Sequence, residues 1–101
     1  MNLSMLNQAR ELKSKLDKVQ KELNNTIVEA DSGKGAVKVT INGKQKIQSI
    51  KISPEVIDPN KAKLLEELVL KAISEAITQS QKLAANQLKG LTGGLKIPGL
   101  T

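Results

Sequence analysis

GKGAVKVTINGKQKIQSIKISPEVIDP, residues 33 to 59, is the stretch on which the fold turns. Val37, Val39 and Ile41 alternate with Lys38 and Thr40, so one face of an extended segment can enter a core while the other stays in water. A second run ending at Ile52 follows Asn42-Gly43, and the two read as an antiparallel hairpin. A two-residue Asn42-Gly43 turn would set Val39 opposite Lys46 and Val37 opposite Gln48, apolar against polar on one face. A four-residue loop, Asn42 to Gln45, pairs Ile41 with Lys46, Val39 with Gln48, Val37 with Ile50 and Gly35 with Ile52. The buried end then agrees, Ile47 points to the other face, and a bulge is the device that would reconcile it. Asp58-Pro59 closes the stretch with an N-cap side chain and a proline at the first helical position, where its missing N–H costs nothing.

Upstream, Met5, Ala9, Leu12, Leu16, Val19, Leu23 and Thr26 recur in alternating steps of four and three, a heptad seam on a helix from about Leu3 to Asn25. So narrow a stripe suits another helix better than full burial, and part of this helix is expected to project. Thr26 to Asp31 leans to β, and Ser32-Gly33-Lys34-Gly35 breaks it before the hairpin, which makes three strands. Downstream of Pro59, Leu64, Leu65, Leu68, Val69, Leu70, Ala72, Ile73, Ala76, Ile77, Leu83 and Ala84 spread over roughly two-thirds of a helix circumference. A helix lying on a small sheet buries only about a third. Leu65, Leu68, Val69, Ala72, Ile73, Ala76 and Ile77 are therefore the candidate dimer interface; the alternative covers the surplus face with the amino-terminal helix of the same subunit. Glu66, inside the arc, is expected to stay solvated. A single α+β domain over residues 1–89 is expected to end in a flexible Gly/Pro-rich tail, 90–101.

At 101 residues the chain makes one small domain, expected to bury about 60 to 70% of the surface of its unfolded state. It has no Phe, Tyr or Trp, so Leu, Ile, Val and Ala carry the core and oligomerisation would help it. It has no Cys and no His, which removes the usual zinc ligands, the thiol nucleophile and the commonest general base. No Gly-rich elbow or phosphate loop accompanies its serines and acids. The reading is non-enzymatic, with no cofactor, metal or small-molecule substrate. MNLSMLNQARELK lacks the apolar run of a signal peptide, and no stretch approaches a membrane span, so a cytosolic, soluble protein is expected.

Sixteen basic against ten acidic residues leave +6. The excess is uneven: Met1 to Ser53 nets +5, Pro54 to Gln81 nets −2, and Lys82 to Thr101 nets +3. That distribution suits a polyanion on one part of the surface and a subunit contact on another.

With helix, sheet, long helix and Gly-rich tail in order, the chain resembles the YbaB/EbfC family of bacterial nucleoid-associated proteins. The likeness rests on G-x-V-K-V-T-I-N-G-K at Gly35 to Lys44, on I-x-I-S-P-E-V-I-D-P at Ile50 to Pro59, on L-L-E-E-L-V-L-K-A-I from Leu64 and on the Pro-Gly tail. It implies a tweezer-like homodimer with projecting helical arms that binds double-stranded DNA and acts in nucleoid organisation or gene regulation, in the cytoplasm.

The residues themselves place the DNA candidates. Arg10, Ser14, Lys18, Lys21 and Asn25 fall opposite the heptad seam, with Lys13 and Lys15 on its flanks. Lys82, Lys89 and Lys96 can add contacts from the carboxy-terminal part. Contacts of this kind go to phosphate and give salt-dependent affinity with little base readout. A single Arg and no aromatic argue against a sequence-specific reader and against single-strand or RNA stacking. Against this stand Glu11–Lys15, Asp17–Lys21 and Lys18–Glu22, i,i+4 pairs that simply support a solvated helix. Two further readings are an adaptor gripping a protein partner with arms and tail, and, less favoured for want of Trp or Phe, an amphipathic helix on an anionic membrane.

Overall fold

The computed structural model describes residues 2–92. Helix α1, Leu3–Asn25, starts where Asn2 turns its side-chain oxygen onto the Met5 amide at 2.8 Å and stops at Thr26, whose backbone is already extended. Three antiparallel strands follow, β1 (Ile27–Ser32), β2 (Val37–Asn42) and β3 (Ile47–Ile52), in the order β1-β2-β3. Between β1 and β2 the chain passes through three left-handed residues, Gly33, Lys34 and Gly35. At Gly33 a side chain would also collide with Leu68, whose Cδ2 would lie 2.9 Å from the added carbon. Pro54–Val56 and Pro59–Lys61 form 3-10 turns, the second capped by the Asp58 carboxylate on the Asn60 amide at 2.9 Å. The long helix α2, Ala62–Thr92, continues directly from it. Helix geometry persists through Gly90 to Thr92; the rest of the expected tail, Lys96 included, lies outside the described residues.

The core is the inner face of β2 under α2. Val37, Val39 and Ile41 are fully buried with Ala72 and Ala76, and Ala30 of β1 joins them. Small alanines on α2 let the helix axis approach the branched strand residues closely, and Leu65, Leu68, Val69, Ile73 and Ile77 pack around that contact.

The hairpin register differs from the expected one by two residues. Val37 faces Ile52, Val39 faces Ile50 and Ile41 faces Ile47. The loop does have four residues, but they are 43 to 46, with Asn42 ending β2. A bulge between these strands leaves Gln48 as the extra residue, so Ile47 as well as Ile50 and Ile52 reaches the inner face. Pairing three isoleucines with three branched residues outweighs the apolar-polar pairs of the expected register.

Asn42 organises the loop that this register creates. Its side-chain oxygen accepts from the amides of Lys44 and Lys46, both at 2.9 Å, and its Nδ2 donates to the Asn24 carbonyl at 3.2 Å. Ser80 of α2, fully buried, donates to the Asn42 carbonyl at 2.7 Å and accepts from the Gln45 amide at 3.2 Å. One turn thus ties the end of α1 to the middle of α2. Asn42→Ala strands these donors in a nearly dry site, and urea unfolding is expected to show a loss of about 2 to 3 kcal/mol. A loss below about 0.5 kcal/mol would mean that the loop holds its shape without that side chain.

Candidate nucleic-acid interface

Beyond the Asn42 junction, α1 and the last third of α2 run antiparallel as an arm. Lys15 and Val19 share a cleft of about 370 Å³ with Gly90 and Leu91, while Glu22 of the same cleft lies toward Asn86 and Gln87. The heptad seam is what α1 turns toward α2: Leu23 is buried and Val19 half-buried. Across from them Leu83, Ala84, Gln87 and Leu91 are half-buried on α2. The whole chain measures 68 × 25 × 18 Å, long and thin because the arm extends from the sheet.

Every described cation proposed from the sequence is exposed. Arg10, Lys18 and Lys21 lie on the side of α1 away from the seam, as the 3.6-residue period requires. Lys13 and Lys15 flank it on opposite sides. Lys15 and Lys18 border the α1–α2 cleft, so the structure brings them beside the second helix of the arm. Lys82 and Lys89 are seven residues apart and share one stripe of α2 with the exposed Lys71, facing away from the core. Lys71 was not legible as a member, because its neighbours in the stripe are eleven and eighteen residues further on. Five cations and three carboxylates on α1, with Lys82 and Lys89 and no carboxylate on α2 beyond Ser80, leave the arm at +4. Smooth, exposed and basic on two parallel ridges, this surface has the chemistry to neutralise a polyphosphate backbone.

The candidate subunit contacts divide into two groups. Ala72 and Ala76 are consumed by the subunit's own core, and the Leu68 carbonyl accepts from Ser32 Oγ at 2.5 Å. Leu65, Val69 and Ile73 instead border an open apolar groove with Ile52, Ala62, Leu70 and Glu66, of about 540 Å³. Leu70 is 67% exposed, and Ile47 and Ile50 of β3 are also uncovered. The cause is geometric: α2 lies over β1 and β2 and leaves β3 bare. Folding α1 onto the same subunit therefore accounts for the last third of α2, and leaves the surplus flank of its first half open. Glu66 is exposed at the groove's edge, as expected.

Among the described residues no His, Cys, Asp and Glu side chains cluster as metal ligands, and no helix is long and apolar enough to cross a membrane. Comparison with known proteins adds the following. The profile of the YbaB/EbfC DNA-binding family matches residues 1–95. A nucleoid-associated protein of Chloroflexus aggregans is 46% identical over 92 residues, covering 91% of this chain and 92% of the relative. One of Clostridium acetobutylicum is 40% identical over 97 residues, covering 96% and 87%. The crystal structure of an uncharacterized protein of Helicobacter pylori superposes with a TM-score of 0.78 over 92% of this chain and 99% of the other, at 19% identity. At that identity the last likeness concerns the fold alone.

Proposed function

Because the chain belongs to the YbaB/EbfC DNA-binding family, we propose that it works as a homodimer holding two basic arms against the phosphate backbone of double-stranded DNA. Its place is then the bacterial nucleoid, in nucleoid organisation or gene regulation, as the names of its Chloroflexus and Clostridium relatives suggest. The observation that carries this reading is the arm: two antiparallel helices with exposed cations and a net charge of +4. The open groove beside Leu70 supplies the place for a second subunit. Dimerisation doubles the formal charge to +12 and fixes two arms at one separation, so the second engages the duplex intramolecularly. The reading assigns no catalytic role to any residue.

Phosphate contact predicts a steep salt dependence: each contact contributes about 0.9 to the slope of log affinity against log salt. Lys18→Glu with Lys21→Glu is expected to weaken duplex binding by about tenfold or more at low salt and to make that slope shallower, with dimer size and helix content unchanged. Fluorescence anisotropy with a short duplex across a salt series reads both. Affinity that does not respond to salt would sink the phosphate mechanism, and unchanged affinity in the double variant would move the site off this face of α1.

A further inference from the structure

The seam of α1 is covered only as far as α2 reaches. Leu23 and Val19 sit against α2, but toward the amino terminus of the same stripe Leu16 is 36%, Leu12 41% and Met5 57% exposed. Leu91, in the last described turn of α2, shares its cleft with Lys15 and Val19, so Leu12, Ala9 and Met5 lie past the end of that helix. Residue 93 therefore begins where the cover stops. We propose that residues 93–101 fold back along this bare stripe in extended form and seat Leu95, Ile97 and Leu100 on Leu12, Ala9 and Met5 of the same chain.

Length permits it: nine extended residues reach up to about 30 Å, whereas Leu12 and Met5 are about 10 Å apart along the helix. Composition selects extended chain over more helix. Gly93 and Gly94 followed by Pro98 make continuation of α2 costly, and Pro98 also disfavours a strand ladder, which leaves side-chain packing as the mode of contact. Leu95 and Ile97, two apart, project to one side of an extended segment at about 6.6 Å. That spacing is close to one helical turn, the step between successive seam residues. Ala9, the smallest seam residue, leaves room for the branched Ile97. No charge opposes the contact, since Asn2 to Ala9 carries none and the tail carries only Lys96.

Backbone hydrogen exchange on the full chain is the test. Amides of Leu6 to Leu12 are expected to exchange about tenfold faster in the Leu95→Asp/Ile97→Asp variant than in the native chain, with β2 amides unaffected. The chain has no cysteine of its own, so Met5→Cys with Ile97→Cys reports the partner directly: an intramolecular disulfide, read as a faster-running single chain on a non-reducing gel, is expected. Exchange rates within about twofold of each other, or a covalent dimer that gives the stripe to a second copy, overturn the proposal.

Discussion

Replacing Gly43 by alanine will detach α1 from the sheet and cost the domain about 2 to 4 kcal/mol of stability, a large share of what a domain this size has. Gly43 is buried and donates its amide to the Leu23 carbonyl at 2.8 Å and to the Thr26 carbonyl at 3.1 Å. A carbon added there would stand 2.7 Å from Leu23 Cδ2, 2.9 Å from the Leu23 carbonyl oxygen and 3.1 Å from its Cα. Rotating Leu23 relieves only the first of these. The other two are backbone, so the end of α1 must move off the loop, and the two hydrogen bonds go with it. Urea unfolding measures the loss, and hydrogen exchange should place it at residues 19 to 26. A Gly43→Ala protein within about 0.5 kcal/mol of the parent would show that α1 is not anchored at this point.

Leu70→Asp is expected to convert the proposed dimer to a monomer with little change in the fold. Leu70 is 67% exposed within its own subunit, so the substitution removes little intramolecular packing, unlike a change at Ile73, which supports the core. Across an apolar groove bordered by Ile52, Leu65, Val69 and Ile73, a carboxylate would have to be buried without a partner. That penalty is several kcal/mol and should raise the dimer dissociation constant by about 100-fold or more. Duplex affinity should fall by a similar factor, because two arms no longer bind as one unit. Size-exclusion chromatography with light scattering reads the mass, and circular dichroism checks that helix content survives. A variant that stays dimeric places the subunit contact elsewhere; a native chain that is monomeric at micromolar concentration removes the dimer from the mechanism altogether.

Much of the architecture follows from short-range pattern. The heptad steps delimit α1 as Leu3–Asn25, the residues at which the helix begins and ends. Alternation in VKVTI gives β2 its two faces, and Asp58-Pro59 gives the entry to α2 through a capped 3-10 turn. The cations Arg10, Lys18 and Lys21 were placed on the outer side of α1 by the same helical period. The hairpin register was not legible. Its bulge at Gln48 is settled by how three isoleucines share one face with Val37, Val39 and Ile41, and a pairwise reading of opposite residues does not register that collective gain.

The sequence by itself determined which segments are helix and strand, which faces are apolar, that the front half and tail are basic, and that the chemistry of Cys and His is absent. Those properties depend on neighbours within a turn or a strand pair, where backbone geometry sets the period. Only the tertiary structure decided that α2 covers β1 and β2 but not β3, that Ala72 and Ala76 serve the core while Leu70 stays bare, and that Ser80, Asn42 and Gly43 lock two helices into one arm. These contacts join residues up to 38 positions apart, and no local period encodes them. They arise from packing two wide apolar helices on a sheet too small to cover both.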